Sequence, residues 1–176
     1  MICVAGGSGL APIHALLEAG AASGLARSCV VLFGARTTRD LYYLEELAAL
    51  GRRWNGAFEL IPVLSEEQAG SAWTGARGLV TEVLSSVAAR APYTAGDQGY
   101  LCGPPAMVDA GVEALRALGM DPDSIFADRF LDALAGEGFR ATQATLSRDL
   151  ARLGARRVSR PDGAFYELPD AGPGGS

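Results

Sequence analysis

The sequence contains no lysine, a single histidine and only three cysteines among its 176 residues. Cys3, Cys29 and Cys102 lie far apart and in no metal-binding spacing, so we expect no metal site. No apolar run approaches the roughly 20 residues that a transmembrane helix needs, and no basic stretch precedes the apolar start, so we expect neither a membrane span nor a signal peptide. These absences favour a reduced, cytoplasmic protein.

The composition is that of a globular protein, with 49% hydrophobic and 20% charged residues. The net charge of −5 is unevenly distributed, because residues 139–160 hold six arginines against one acid while acids outnumber arginines elsewhere. Such a local reversal of charge indicates a separate module with its own partner. We therefore predict a first domain over residues 1–130 and a second over residues 131–169.

Short apolar segments alternate with longer segments of helical spacing in the first domain. The predicted strands are residues 2–5, 28–33, 58–64, 99–102 and 125–130, and the predicted helices are residues 12–19, 40–50, 79–89 and 106–118. Strands of this length between helices are typical of an α/β fold. The sequence therefore predicts a five-stranded parallel nucleotide-binding sheet with helices on both faces.

A glycine-rich loop, Gly6, Gly7, Ser8 and Gly9, lies between the first predicted strand and the first predicted helix. Such a loop lets a pyrophosphate approach the free N–H groups of a helix N-terminus. The spacing is not that of the G-x-G-x-x-G fingerprint, and a glycine turn that binds nothing is an equal alternative. Residues 34–37 and 102–105 follow two other strands at the same edge of the sheet, which favours an extended ligand.

Three motifs in this order resemble the NAD(P)H-binding domain of the ferredoxin–NADP reductase superfamily. They are VAGGSGLAPI (4–13), LFGAR (32–36) and YLCGPPAM (100–107), and the resemblance covers residues 1–130. It is strongest to the reductase components of bacterial multicomponent oxygenases. The cofactor-binding residues that it implies are Gly6, Gly7, Ser8 and Gly9 for the pyrophosphate, Arg36 for the ribose or its phosphate, and Cys102, Gly103 and Pro104 for the nicotinamide.

The resemblance implies hydride transfer from NADH or NADPH to a flavin, with electrons passing on to an oxygenase partner. Arg36 and Arg39 could meet the 2′-phosphate of NADPH, and no acid ends the second strand, whereas the resemblance to the oxygenase reductases favours NADH. The sequence has neither the flavin-binding motif nor the iron–sulfur cysteines of these reductases, so FAD is expected only through a missing domain or a flavin-domain partner.

No residue is predicted to act as a catalytic acid, base or nucleophile. Cys102 has no neighbouring cation in the sequence to activate its thiol, and we expect it to have a packing and orientation role. His14, as a lone histidine, is expected to be structural. The stretch at residues 73–78 is a weaker candidate for cofactor contact.

In the second domain, the sequence predicts a helix that begins at Thr142 and ends at Leu153. A predicted turn at residues 161–163 joins two strands. The remaining residues 170–176 are rich in glycine and proline and are expected to be disordered. The helix has leucines on one side and hydroxyls and arginines on the other. Its polar side suits the DNA major groove, and a solvated arginine-rich face is the alternative.

The segments GFRATQATLSRDL (138–150), LGARRV (153–158) and YELP (166–169) resemble the winged helix–turn–helix of bacterial arginine repressors. The resemblance implies that Gln143, Ser147 and Arg148 contact DNA. The repressor's arginine-binding domain is absent from the sequence, so we expect no arginine binding. Three hypotheses remain open: a reductase domain that works with a separate flavin protein, a DNA-binding regulator, or a truncated or fused remnant with neither activity.

Overall fold

The computed structural model describes residues 1–90, 96–128, 156–160 and 163–167. Its strands are β1 (Ile2–Gly6), β2 (Cys29–Ala35), β3 (Phe58–Leu64), β4 (Ala76–Arg77), β5 (Gly99–Cys102), β6 (Ile125–Asp128), β7 (Arg156–Arg160) and β8 (Gly163–Glu167). Its α-helices are α1 (Leu10–Ala22), α2 (Leu44–Arg53), α3 (Val80–Arg90) and α4 (Pro105–Ala117). None of these helices is long and apolar enough to cross a membrane.

The first six strands form one parallel sheet in the order β4-β3-β2-β1-β5-β6. The predicted α/β fold is confirmed, but the predicted number of five strands is wrong. The additional strand β4 pairs only Ala76 with Val63 and Arg77 with Leu64. Two residues are too few to show the alternation or the apolar run by which a strand is recognised in a sequence.

Alternate residues of the central strand β1 face the two sides of the sheet. Cys3 and Ala5 pack with the apolar residues of α1 and α2, while Ile2 and Val4 pack with those of α3 and α4. All four side chains are essentially inaccessible to solvent. Both faces of the sheet are therefore covered, as a buried parallel sheet requires, and each large buried side chain contributes roughly 1.5–3 kcal/mol.

Two helices begin two or more residues from their predicted starts. Helix α1 starts at Leu10 and so includes Pro12 in its first turn, where proline is tolerated because those N–H groups lack helical partners. Helix α2 starts at Leu44 because Thr38–Asp40 forms a separate 3-10 turn. The segment between this turn and α2 ends at Tyr43, whose φ of 58° is a left-handed conformation.

Strands β7 and β8 pair antiparallel, with Arg157 opposite Tyr166 and Arg160 opposite Gly163, in agreement with the predicted hairpin. The predicted helix from Thr142 to Leu153 lies outside the described residues. So do the candidate DNA contacts Gln143, Ser147 and Arg148, and the tail at residues 170–176.

Candidate functional site

The carboxyl ends of β1 and β5 meet at the centre of the sheet and bring two predicted glycine motifs together. The 3-10 turn Gly7–Gly9 connects β1 directly to α1, and residues 103–104 connect β5 to α4. Gly7 has φ of 53°, a conformation that favours glycine. We call residues 6–9 and 102–104 the glycine end of the site.

The two turns of the glycine end interlock without space for a side chain. A Cβ atom on Gly9 would stand 2.0 Å from the carbonyl oxygen of Cys102, and one on Gly6 would stand 2.5 Å from Sδ of Met107. A Cβ atom on Gly103 would meet Cε of the same methionine at 2.6 Å. At Gly9 backbone therefore packs on backbone, and glycine is required independently of any ligand, whereas at Gly6 and Gly103 the nearest atoms belong to the flexible side chain of Met107.

Ser8 is the buried polar residue of the glycine end. The residue is 7% exposed, and its Oγ has no hydrogen-bond partner among the described residues. Helix α1 begins two residues later, and no side chain caps its first turn. A buried hydroxyl without a partner beside a helix N-terminus is suited to an anionic oxygen, because hydroxyls and helix N–H groups both donate to anions.

Cys102, the last residue of β5, is 2% exposed and contributes its carbonyl group to the contact with Gly9. Cys3 and Cys29 are buried in the core on the α1 side of the sheet. A hydrogen bond with Cys29, together with burial, raises the pKa of the Cys3 thiol. Cys3 therefore remains protonated and packs as a small apolar residue.

The segment that follows β2 carries charged side chains. Arg36 is 69% exposed, and its Nη2 lies 3.8 Å from Oδ1 of Asp40. The other oxygen of Asp40 accepts hydrogen bonds from the N–H and the hydroxyl of Thr37, both at 2.9 Å. Oε2 of Glu67 accepts from the N–H of Thr38 at 2.8 Å. We call Arg36, Asp40 and Glu67 the charged end of the site.

The carboxyl group of Glu67 is stabilised as an anion. The backbone hydrogen bond from Thr38 and the side-chain hydrogen bond from Ser71 lower its pKa below the usual glutamate value. Glu67 is therefore ionised throughout the neutral range, and it adds a negative charge beside the backbone that carries Arg36.

Two tyrosines follow the charged end in the chain, and one of them contacts the glycine end. The hydroxyl of Tyr42 donates to the carbonyl oxygen of Gly7 at 2.8 Å, and its ring packs edge-on against Phe33. Tyr43 is 51% exposed and lies 5.4 Å, between ring centroids, from His14. No motif in the sequence predicted a role for either tyrosine. Their position just after the second strand and its Gly-Ala-Arg motif was the signal that could have found them.

The other sequence candidates have partners outside the glycine end. His14 is on the second turn of α1, with Nε2 3.6 Å from Oε1 of Glu18. The indole N–H of Trp73 donates to the carbonyl oxygen of Ala76, so the stretch at residues 73–78 is organised by internal bonds. Among the described residues, no group of three metal-ligating side chains could hold a metal ion.

Comparison with protein families gives two matches, in different parts of the chain. Residues 3–113 match the family described as oxidoreductase NAD-binding domain. Residues 128–173 match the arginine repressor DNA-binding domain.

The curated relatives are reductase and electron transfer components. The chain is 51% identical over 130 residues to the xylene/toluene monooxygenase electron transfer component XylA of Pseudomonas putida, covering 74% of this chain and 36% of that protein. It is 39% identical over 133 residues to the reductase component of propane 2-monooxygenase of Mycolicibacterium goodii, covering 74% and 37%. The chain thus spans little more than a third of the length of these relatives.

Solved structures give the same assignment. The crystal structure of Amycolatopsis cytochrome P450 reductase GcoB superposes with a TM-score of 0.63 at 33% identity, covering 74% of this chain and 37% of that one. The ferredoxin reductase in carbazole 1,9a-dioxygenase superposes with a TM-score of 0.60 at 29% identity, covering 73% and 37%. The matched part is again about three quarters of this chain.

Proposed function

Because this chain belongs to the oxidoreductase NAD-binding domain family, we propose that residues 1–130 bind NADH as the dinucleotide-binding part of a flavin-dependent reductase. The observation that carries the proposal is the glycine end, where Ser8 lies buried without a partner beside the start of α1. A dinucleotide pyrophosphate supplies the anionic oxygens that such a position accepts.

We assign the pyrophosphate to Gly6, Gly7, Ser8 and Gly9. Cys102, Gly103 and Pro104 border the nicotinamide, because their turn packs against the glycine loop and opens at the same edge of the sheet. The nicotinamide supplies a hydride when it is bound. The buried backbone of these turns positions the ring and keeps water away from one side of it.

The adenosine belongs at the charged end. Arg36 is exposed and free to rotate toward a ribose or phosphate oxygen, with its weak partner Asp40 at 3.8 Å. Tyr43 presents a half-exposed ring at the same edge, in a left-handed backbone conformation that costs energy. A flat aromatic surface in this position suits stacking against adenine.

The preference for NADH over NADPH follows from charge. NADPH differs by a 2′-phosphate on the adenosine ribose. The carboxylate of Asp40 lies beside Arg36 and the ionised Glu67 is bound to the N–H of Thr38, and these negative charges oppose the 2′-phosphate of NADPH. The ribose hydroxyls of NADH donate hydrogen bonds to carboxylates instead, so the charged end favours NADH.

The hydride acceptor in this proposal is a flavin held outside residues 1–130, by another domain or by a partner protein. The relatives named as reductase components of oxygenases extend well beyond the third that this chain covers. An oxygenase or ferredoxin protein would then receive the electrons.

Titration of the protein with NADH and with NADPH, followed by calorimetry or tryptophan fluorescence, tests the proposal. We expect saturable NADH binding in the millimolar range or tighter, and weaker binding of NADPH. Absence of any binding at millimolar NADH would overturn it. Added ADP-ribose should compete with NADH, because it carries both the adenosine and the pyrophosphate.

A second function is favoured by the family match at residues 128–173 and by the antiparallel pair of β7 and β8. In this alternative, residues 131–169 form a winged helix–turn–helix, and Gln143, Ser147 and Arg148 contact DNA. A gel shift with arginine-operator DNA at low salt tests it, since phosphate contacts make such binding salt-dependent. A protein that shifts no DNA and binds no NADH would support the third hypothesis, a remnant.

A further inference from the structure

Arg77 on the edge strand β4 organises the loop that precedes it. Its Nη1 donates to the carbonyl oxygens of Glu67 at 2.9 Å and Gln68 at 3.2 Å. Its Nη2 donates to Oγ of Ser71 at 3.1 Å and to the carbonyl oxygen of Trp73 at 2.9 Å. Because guanidinium is a rigid planar fork, one side chain fixes four points of residues 67–73 at once.

The same loop is attached to the backbone of the charged end. The N–H of Glu66 donates to the carbonyl oxygen of Arg36 at 2.8 Å, and the carboxylate of Glu67 accepts from the N–H of Thr38. Arg77 therefore holds the backbone of Glu67, and the side chain of Glu67 holds the backbone that carries Arg36. The side chain of Arg77 is thus linked to the backbone of residues 36–38 through the hydrogen bonds of Glu66 and Glu67.

We propose that Arg77 and Glu67 are positioning residues for the adenosine end of the dinucleotide. They hold the turn after β2 in the orientation from which Arg36 reaches the ligand, and neither needs to touch the ligand itself. This role rests on the proposed function, since it concerns the same site. In this role, Arg77 of the stretch at residues 73–78 supports the site without contacting the cofactor.

The first experiment compares Arg77→Ala, Arg77→Lys and Arg52→Ala in binding NADH, ADP-ribose and reduced nicotinamide mononucleotide. Arg52 is an exposed arginine in the last turn of α2 and serves as the matched control. We expect Arg77→Ala to weaken NADH and ADP-ribose equally, by about tenfold, as loss of charge-assisted hydrogen bonds implies. Binding of the mononucleotide, which lacks adenosine, should not change, and Arg77→Lys should restore part of the affinity.

The outcomes separate this role from the proposed function. If the unaltered protein does not bind NADH, the proposed function and the positioning role both fail. If it binds NADH and Arg77→Ala binds equally well, only the positioning role is overturned. An equal loss for all three ligands also overturns it, because that pattern indicates a general loss of structure.

A second experiment needs no ligand and covers the case in which Arg77→Ala folds poorly. Amide hydrogen exchange at Thr38 is measured in Glu67→Gln and Arg77→Lys, with Val31 in the core as the internal reference. We expect exchange at Thr38 to rise several-fold in both variants while Val31 stays protected. Unchanged protection at Thr38 would show that the hydrogen bonds of Arg77 and Glu67 do not hold this turn, and would overturn the proposal.

Discussion

The two ends of the candidate site are built on different physical principles. At the glycine end, backbone packs on backbone, and a single added carbon on Gly9 would overlap the carbonyl group of Cys102. At the charged end, Arg36 stands mostly in solvent and its surroundings are set by carboxylates and hydrogen bonds. The first end should therefore respond to added volume, and the second to charge and pH.

The largest effect is expected from Gly9→Ala. The new methyl group would stand 2.0 Å from the carbonyl oxygen of Cys102, which is backbone and cannot rotate away. Overpacking of this kind costs about 3 kcal/mol or more, so thermal unfolding should shift down by about 10 °C. NADH binding should be lost as well, as measured by titration below the new melting temperature.

Gly24→Ala is the control for this variant. Gly24 has φ of 69° but nothing within 4 Å of the added carbon, so the substitution introduces backbone strain alone. It should cost about 1 kcal/mol and leave NADH binding intact. Equal stability of the two alanine variants would contradict the steric description of the glycine end.

A smaller effect, confined to binding, is expected from Arg36→Ala. The side chain is 69% exposed and its ion pair with Asp40 is long, so the melting temperature should stay within about 2 °C. The dissociation constant for NADH should rise about five- to tenfold, because a charged hydrogen bond to the ligand is lost. Arg52→Ala is the control. If both variants bind NADH with equal affinity, Arg36 does not belong to the site.

A third substitution tests the choice between the two dinucleotides. Asp40→Asn removes one negative charge and keeps an oxygen that can accept from the N–H of Thr37. The ratio of NADPH to NADH dissociation constants should fall about three- to fivefold, the size expected for an exposed charge pair. Glu113→Gln on the exposed side of α4 is the control. An unchanged ratio would show that Asp40 does not select against the 2′-phosphate.

The smallest effect is a dependence on pH at the charged end. The pKa of Glu67 is lowered in the folded protein, so the contribution of its ionised form is present above the unfolded value of about 4.3 and is lost as the pH falls through the folded value. Protection of the Thr38 amide should thus be constant from neutral pH to about 4.3 and decline only below it. A decline that begins near pH 6 would contradict this assignment.

The sequence predicted the main elements of the fold because their signals are long. Strand β3 was predicted with the observed bounds, and α3 and α4 within a residue of theirs. Two features could not be predicted. Strand β4 has only two residues, and α2 begins after Tyr43 because that residue has a left-handed conformation. A pattern of helical spacing continues through residues 40–43 even though the backbone there is not helical, so periodicity alone placed the helix too early.

Contacts between glycine motifs were easier to predict from the sequence than hydrogen bonds between distant side chains and backbone. Glycines after strands are visible in a sequence, and the structure brings Gly9 and Cys102 into contact. The links from Tyr42 to Gly7 and from Glu67 to Thr38 join residues that are distant in the chain. Since no local pattern encodes such pairs, they appear only when the strands are placed side by side.

The position of β1 in the sheet has a consequence for the order in which the protein folds. Strands β2, β3 and β4 are consecutive in the chain and pair with one another, so the charged end needs only neighbouring segments. The glycine end can form only after β5 has paired with β1, with Ala5 opposite Cys102. Closing so long a loop is entropically costly and slow. As the chain leaves the ribosome, the segments of the charged end are complete before β5 is, so we expect this end to assemble while the glycine end still lacks its second turn.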